Sequence, residues 1–181
     1  MLETDGYLSG QELCEQLGVS RTAVWKYMKQ LKEEGYEIEA IQNKGYCLKD
    51  VPDVLGESEI KSRLHTRWAG QTLYYYDEID STNTQIKRLA EEDAPHGTLA
   101  VADYQSRGKG RRGRAWDSPH GSAIYMSILF RPEIRPDRAS MLTLVIGLSV
   151  TQAIRSNLGL QAQIKWPNDV VLNGKKLVGI L

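Results

Sequence analysis

Cysteine is scarce in this chain of 181 residues, which contains only Cys14 and Cys47. Two cysteines cannot build the disulfide framework of a small secreted domain, and neither has the Cys or His spacing of a zinc site. We interpret both as small buried apolar residues. This use of cysteine favours a reducing compartment, so we expect a cytoplasmic protein.

Histidine is also rare, and the three histidines lie near predicted turns in dissimilar contexts. None of His65, His96 and His120 has a carboxylate or hydroxyl at a spacing typical of a catalytic pair. The sequence also lacks the Walker phosphate-binding motif and the GxSxG motif of serine hydrolases. We therefore do not expect a histidine-dependent nucleophile.

The chain has no net charge, since 23 Lys/Arg balance 23 Asp/Glu. Residues 1–50 hold six Lys/Arg against nine Asp/Glu, a charge of −3, and residues 51–181 carry the opposite charge of +3. Bulk charge therefore does not indicate a nucleic acid or a membrane as partner. The most apolar stretch, residues 141–154, is too short and too interrupted to span a bilayer, and the N-terminus lacks the pattern of a signal peptide.

Two short helices are predicted near the N-terminus. Ser9 and Glu12 form a capping box, and Gly18 ends the first helix. Ser20 caps a second helix, which we expect to end at Gly35. Two helices joined by a tight turn that contains glycine are typical of a helix-turn-helix.

The second helix is predicted to have two different faces. Val24, Met28 and Leu31 share the apolar face, and the opposite face carries Thr22, Trp25, Lys26 and Lys29. Residues 36–41 and 46–48 read as two strands around a turn, which would form the wing of a winged helix. We expect residues 1–50 to be this domain, residues 51–60 a linker, and residues 61–181 part of a second domain.

The second domain mixes strands and helices. Asn173-Gly174 predicts a type I′ hairpin, and strands outnumber helices. The fold class is therefore α+β with a mixed sheet, not a doubly wound parallel sheet. The last strand pattern runs to Leu181 without a polar tail, so we expect the sequence to be a fragment. The predicted strands are residues 72–79, 98–104, 122–130, 164–166, 170–172 and 177–181, and the predicted helices begin at Ser58 and cover residues 82–92 and 136–157.

A glycine- and arginine-rich loop follows the second of these strands. Between Gly108 and Arg114 the sequence is GKGRRGR, and no acidic residue occurs from Gln105 to Trp116. Glycine lets the backbone bend closely around an anion, and guanidinium groups match phosphate or carboxylate oxygens. The alternative is a flexible loop that binds nucleic acid non-specifically. Its place between two strands favours the lip of a pocket.

Three other segments have both an ordinary and a functional interpretation. Residues 80–83 (Asp-Ser-Thr-Asn) could be a common helix N-cap, or short polar groups that face a ligand. Residues 165–169 could be a strand, a turn and a solvated Lys–Asp pair. Lys175 and Lys176 could be surface charges on an edge strand, but side chains alternate along a strand, so one of them would face inward if the other faces out.

Together these segments resemble the bifunctional bacterial biotin–protein ligases, which join a biotin-operon repressor to a ligase. The resemblance covers nearly the whole chain in family order, and six segments in sequence are very specific. They are residues 20–26 (SRTAVWK), 44–46 (KGY), 81–83 (STN), 105–116, 165–169 (KWPND) and 176–181 (KLVGIL).

The resemblance implies a two-step reaction. The carboxylate of biotin attacks the α-phosphate of ATP, with Mg²⁺, to give biotinyl-5′-adenylate and pyrophosphate. A lysine of a biotin carboxyl carrier domain then takes the biotinyl group. The family also continues beyond Leu181 and carries another helix before Ser9, so the chain would be truncated at both ends. A homodimer and operator DNA are further implied partners of the full-length protein.

The resemblance also implies roles for individual residues. Lys176 and Arg111 would be catalytic, and Asp169 would be a weak candidate for a metal ligand. Biotin would contact Ser81, Thr82, Asn83, Gln105, Lys109, Gly110, Arg111, Lys176 and Gly179. The nucleotide would contact Arg111, Arg114, Trp116, Lys165, Asn168 and Asp169. DNA would contact Ser20, Arg21, Thr22, Trp25, Lys26, Lys29 and Lys44.

Two alternatives stay open from the sequence. The chain could be a transcriptional regulator that senses a small acid without catalysis. It could also be a relative that attaches lipoate or octanoate, although the winged helix and the 108–114 loop favour biotin.

Overall fold

The computed structural model describes residues 6–181, which fall into two compact units divided between Val54 and Leu55. In the first unit, helix α1 spans Gly10–Leu17 and helix α2 spans Arg21–Glu33. The predicted capping box is confirmed, because Ser9 Oγ accepts from the Glu12 N–H at 3.1 Å and a Glu12 carboxylate oxygen accepts from the Ser9 N–H at 2.7 Å. Both helices therefore begin where short polar side chains satisfy free N–H groups.

The first unit is a winged helix-turn-helix, as predicted. Strands β1 (Glu37–Ile41) and β2 (Gly45–Asp50) form an antiparallel hairpin, and Leu8 exchanges two backbone hydrogen bonds with Tyr46 of β2. The hairpin and helices enclose a small apolar core, which explains how so short a module holds its shape. That core consists of Leu13, Val24, Met28 and Ile38.

The second unit begins with a mixed sheet. Helix α3 (Glu57–Arg63) precedes strand β3 (Leu73–Ile79), helix α4 (Thr82–Glu91) and strand β4 (Leu99–Gln105). Strands β3 and β4 are parallel, with α4 as their crossover, while β5 (Tyr125–Ile128) pairs antiparallel with β4. Strand β4 lies in the middle and is the most buried. The carboxyl ends of β3 and β4 therefore meet near the N-terminus of α4.

A second three-stranded sheet completes this unit. Helix α5 (Met141–Leu158) leads into β6 (Gln163–Lys165), β7 (Asp169–Leu172) and β8 (Lys175–Gly179), which pair antiparallel in sequence order. Asn173 and Gly174 have φ values of 50° and 77°, which agrees with the predicted type I′ turn.

Several boundaries differ from the prediction. Strand β5 is shorter than residues 122–130, because its pairing with β4 runs only from Tyr125 to Ile128. Helix α5 begins at Met141, since Pro136–Arg138 forms a separate 3₁₀ turn. The last strand begins at Lys175 because the turn takes only two residues.

The segment predicted as a linker, residues 51–60, includes the start of α3. Leu55 and Ile60 pack against buried Leu73, Leu99 and Val101 of the second unit. The domain boundaries drawn from the sequence stay predictions. Within residues 6–181, no helix is both long and apolar enough to cross a bilayer.

One prediction concerns the wing. Gly45 has φ +113°, and a Cβ added there would lie 2.1 Å from the Leu8 carbonyl oxygen. Gly45→Ala should therefore destabilise the first unit by about 2 kcal/mol or more, because strain and the clash add. Gly6→Ala is the matched control, since its Cβ would meet no atom within 4 Å. Equal thermal unfolding curves for the two variants, followed by circular dichroism, would contradict this account of the wing.

Candidate functional site

The N-terminus of α4 presents buried hydroxyl groups. Ser81 is 1% exposed and Thr82 is 4% exposed, yet Ser81 Oγ has no hydrogen-bond partner among residues 6–181 and does not cap the helix. Buried hydroxyls are normally satisfied. Ser81 therefore occupies the N-cap position without a side-chain capping hydrogen bond, and its oxygen is free to bind a polar ligand group.

Gln105 fixes Thr82 from the neighbouring strand. Its Oε1 accepts from the Thr82 N–H at 2.8 Å and lies 3.2 Å from Thr82 Oγ1, while its Nε2 donates to Ser118 Oγ at 3.0 Å. Thr82 Oγ1 also lies 3.0 Å from Ser127 Oγ. The structure thus brings Ser81, Thr82 and Gln105 together, with half-buried Asn83 beside them.

Asp80, the first residue of the polar segment noted at this strand-to-helix turn, also belongs to this corner. Its carboxylate accepts from the Ser81 N–H at 2.7 Å and from the Arg88 guanidinium at 2.7 and 3.3 Å. The Arg88 hydrogen bonds hold the pKa of Asp80 below its usual range. Asp80 therefore stays ionised across the neutral pH range.

The glycine- and arginine-rich loop is a closed turn. The Trp116 N–H donates to the Gly108 carbonyl at 2.9 Å, and the Gly110 N–H donates to the Arg114 carbonyl at 2.8 Å. A Cβ on Gly108 would lie 2.3 Å from the Trp116 carbonyl oxygen, so only glycine fits there. This closed geometry favours the lip of a pocket over a flexible loop that binds nucleic acid non-specifically. The cations that the turn exposes are Lys109, Arg111, Arg112 and Arg114.

Arg111 connects this loop to the segment before β7. Its Nη1 donates to Asn168 Oδ1 at 2.9 Å. Asn168 is itself fixed, because its Nδ2 donates to the Ile180 carbonyl and its own carbonyl accepts from the Ile180 N–H. Arg111 and Asn168 are far apart in sequence, and this hydrogen bond brings them together.

Trp116 is the centre of the cationic end of the site. Lys176 Nζ lies 4.9 Å from its ring centroid, and a Cβ on Gly179 would lie 3.0 Å from the ring. Lys176 Nζ is also 2.7 Å from Asp169 Oδ1, as an ion pair. Lys176, not Lys175, is the lysine that enters this cluster. A cation over an indole face is attracted by the quadrupole of the ring, so the ring helps to hold the Lys176 ammonium beside the loop.

The surroundings of Asp169 do not fit a resident metal ion. Its carboxylate faces the Lys176 ammonium, and no cluster of three His, Cys, Asp or Glu side chains occurs within residues 6–181. A divalent cation needs several oxygen ligands and would be repelled by this lysine.

Some predicted site residues stand apart from these contacts. Lys165 pairs with Asp169 across β6 and β7 but its side chain is exposed, and Arg114 is exposed as well. His120 has an acidic partner that its sequence context does not show, because His120 Nδ1 lies 2.8 Å from Asp103 Oδ2. The pairing of β4 with the chain that returns after Trp116 creates this contact, which sequence spacing does not reveal.

In the first unit, the outer face of α2 is exposed as predicted. Trp25 is 57% exposed, and Lys29 lies 3.6 Å from Glu33 as a surface ion pair. Ser20 caps α2, and Arg21 donates to Gln11 of α1. Lys44 lies at the tip of the wing, with Nζ 5.8 Å from the Tyr7 ring. The exposed side chains of this face include Thr22, Trp25, Lys26 and Lys29.

Comparison with known families agrees with this division. The model of the Biotin/lipoate A/B protein ligase family matches residues 75–181, more than half of the chain, and an HTH domain model matches residues 1–47. The chain belongs to the Biotin/lipoate A/B protein ligase family. The resemblance to biotin–protein ligases inferred from the sequence is thereby confirmed at the level of the family.

Relatives match both units of this family member. The Bifunctional ligase/repressor BirA of Bacillus spizizenii is 49% identical over 175 residues, which are 97% of this chain and 54% of the relative. The protein of the same name from Escherichia coli is 36% identical over 182 residues, and the match covers 100% of this chain and 55% of that relative. The chain therefore spans about half the length of these curated relatives.

A solved structure is similar to part of this chain. The biotin protein ligase of Aquifex aeolicus, in complex with biotin and ATP, matches with a TM-score of 0.54 and 39% identity. The match covers 61% of this chain and 46% of that chain. The roles of individual residues in this family member stay predictions.

Gly108 gives a test of the loop geometry. Gly108→Ala should destabilise the second unit by about 2 kcal/mol, because its Cβ would collide with the Trp116 carbonyl and Ser118 Oγ. Gly110→Ala should cost less than about 1 kcal/mol, since its nearest neighbour would be the Arg114 carbonyl oxygen at 3.3 Å. Urea unfolding measures both free energies, and a loss for Gly110→Ala as large as that for Gly108→Ala would refute the close approach.

Proposed function

We propose that this chain is part of an ATP-dependent biotin–protein ligase that also acts as a biotin-responsive repressor of transcription. One observation carries the proposal. The site has buried hydroxyls at one end, on Ser81 and Thr82, and Gln105 and Ser118 link this end to the loop whose Trp116 and Arg111 form a cationic end with Lys176. Biotin has a neutral ureido ring at one end and a carboxylate at the other, which matches this division.

The proposed reaction has two steps. A biotin carboxylate oxygen attacks the α-phosphorus of ATP, the bond to the β-phosphate oxygen breaks, and pyrophosphate leaves. The ε-amine of an acceptor lysine then attacks the acyl carbon of biotinyl-5′-adenylate, AMP leaves, and the amide nitrogen loses a proton to solvent. The carrier domain that supplies this lysine is a biotin carboxyl carrier protein.

The first step brings two anions together, and the cationic end of the site reduces their repulsion. Lys176 contacts the carboxylate and phosphate oxygens, and Arg111 contacts the phosphate side while its loop closes over the adenylate. Their fixed partners, Asp169 and Asn168, aim these cations before substrate arrives. Because these cations are already oriented, they need little rearrangement when the reaction begins.

The remaining assignments follow the same polarity. Ser81, Thr82, Asn83 and Gln105 would face the ureido ring, and Gly179 lets β8 approach biotin closely. Lys109 and Gly110 would belong to the closing loop. ATP would enter as its magnesium complex. The phosphates of ATP would supply several of the oxygen ligands that the ion needs, whereas Asp169 alone would supply too few. The nucleotide side would be formed by Arg111, Arg114, Trp116, Lys165, Asn168 and Asp169.

The first unit would bind operator DNA through the exposed face of α2 and the tip of the wing. We further propose a homodimer, in which two such modules bind two half-sites, and a cytoplasmic location. The contacts to DNA would come from Ser20, Arg21, Thr22, Trp25, Lys26, Lys29 and Lys44.

The ligase proposal is tested by incubating the complete protein that contains this chain with labelled biotin, ATP and a carrier domain. We expect label on the carrier domain and release of pyrophosphate only when biotin is present. Tight biotin binding without labelling would leave a small-acid sensor instead. Labelling that lipoate suppresses better than unlabelled biotin would indicate a lipoate-attaching enzyme.

Lys176→Ala should lower the rate of adenylate formation by about 100-fold or more, because an aimed cation at the reacting oxygens is lost. Lys175→Ala is the matched control, since that side chain is exposed on the same strand. Biotin-dependent pyrophosphate release measures both rates. Similar losses in the two variants would contradict the role of Lys176.

Arg111→Gly should release biotinyl-adenylate into solution before transfer, because the loop loses its bond to Asn168. Chromatography of the reaction mixture measures free adenylate. Arg135→Gly is the control, because Arg135 pairs only with nearby Asp137 in the described residues. If free adenylate does not rise in Arg111→Gly, the closing role of the loop is wrong.

Lys26→Ala should weaken binding to a random-sequence DNA duplex and reduce the slope of log affinity against log salt by about 1. Lys61→Ala is the control, since Lys61 lies on α3 and pairs with Glu57. Fluorescence anisotropy at several salt concentrations gives both slopes. An unchanged slope for Lys26→Ala would remove Lys26 from the DNA contacts.

A further inference from the structure

The N-terminus of α4 already holds a carboxylate. Helix N-termini attract anions, because their free N–H groups and the helix dipole both favour negative charge. Here the carboxylate is that of Asp80, which accepts from the Ser81 N–H at 2.7 Å. Next to it, Ser81 Oγ is buried and has no partner among residues 6–181.

Arg88, which lies further along α4, pairs with this carboxylate. Its two terminal nitrogens lie 2.7 and 3.3 Å from the Asp80 oxygens, and it also donates to Gln85 Oε1 at 3.2 Å. Gln85 in turn donates to the Tyr76 hydroxyl at 3.0 Å. The forked contact fixes the direction of the carboxylate as well as its charge.

The backbone of Asp80 reaches the root of the glycine- and arginine-rich loop. Its carbonyl accepts from the Arg107 N–H at 2.8 Å, and the Ile79 carbonyl accepts from the Ser106 N–H at 2.9 Å. Asp80 therefore touches the helix that carries Ser81 and the chain that enters the loop. A shift of this residue would move both.

We propose that Asp80 and Arg88 form a positioning pair that orients Ser81 and makes the α4 end of the site select the neutral head of its small-acid substrate. Neither side chain reacts. The pair acts through Ser81 and through the charge that Asp80 places at the helix terminus. This inference rests on the proposed function, because biotin is the small acid with such a neutral head.

The selection follows from charge. Without Asp80, the α4 N-terminus would attract a carboxylate, so an acid could bind in either direction. With Asp80 in place, its carboxylate already takes the Ser81 N–H and offsets the positive helix terminus, so a second carboxylate gains little at this end, while Lys176 and Arg111 attract it at the other end. A neutral carbonyl can still accept a hydrogen bond from Ser81 Oγ. The substrate then binds with its reactive end at the cations.

Calorimetric titration with biotin and with biotin methyl ester tests the pair. Asp80→Ala should weaken the ester by about 10-fold and biotin by a smaller factor, because only the acid gains a second, reversed way to bind at the freed helix terminus. Lys176→Ala should weaken biotin but leave the ester almost unchanged, since the ester lacks the carboxylate. Asp80→Asn should weaken binding less than Asp80→Ala does, because the amide oxygen of asparagine can still accept a hydrogen bond from the Ser81 N–H.

Arg88→Met should weaken both ligands by less than Asp80→Ala. Its matched control is Arg63→Met, which removes an arginine paired with Glu59 on α3 and should change neither affinity. In the complete protein, Asp80→Ala should lower kcat/KM for biotin, because the pair acts on binding and orientation at a non-reacting end. A merely structural role would lower the active fraction, measured as fewer binding sites per chain in the titration, at unchanged affinity.

Amide hydrogen exchange without ligand separates the failure of this inference from that of the proposed function. Asp80→Ala and Arg88→Met should speed exchange at Ser81 and Arg107. Unchanged exchange at both amides, or biotin affinity equal to that of the unsubstituted chain, would overturn the positioning pair. If the unsubstituted protein binds neither ligand while exchange is faster in the variants, the proposed function fails and the positioning of Ser81 stands.

Discussion

The packing of Trp116 between the glycine- and arginine-rich loop and strand β8 is the contact on which the rest of the site depends. Its backbone N–H closes the loop on Gly108, and its ring lies against Gly179 and under Lys176. The Trp116 side chain thus connects the loop after β4 to the second sheet, and the Arg111–Asn168 hydrogen bond adds a further connection beside it. Without the Trp116 contact, Lys176 would lose the ring that holds it beside the loop cations, and the charge needed to bring a carboxylate to a phosphate would be less concentrated.

The two ends of the site differ in the charge of the ligand group that they favour. The α4 end combines a buried, unpartnered Ser81 hydroxyl with an ionised Asp80, and so favours a neutral hydrogen-bonding group. The other end concentrates exposed cations whose partners, Asp169 and Asn168, fix their directions without burying them. This opposition orients an elongated acid, and orientation is a large part of what an active site contributes to a bimolecular step.

Local signals in the sequence predicted most of the fold. The capping box at Ser9, the Asn173-Gly174 turn and the glycine-rich loop each have a short-range cause, so they could be read without tertiary structure. The contact between Asp80 and Arg88 could not, because it spans eight positions and depends on where α4 begins. The His120–Asp103 pair depends on the path of the chain after Trp116, and no sequence period encodes that path. For the same reason, the sequence placed Lys176 and Trp116 in one site only through family resemblance.

The most direct measurement is a crystal structure of the complete protein with a non-hydrolysable analogue of biotinyl-5′-adenylate. The account predicts the ureido oxygen within hydrogen-bond distance of Ser81 Oγ and the acyl-phosphate mimic beside Lys176 Nζ, with the loop that contains Arg111 closed over it. An analogue bound in the reverse direction, or a loop that stays away from the acyl-phosphate mimic, would contradict it.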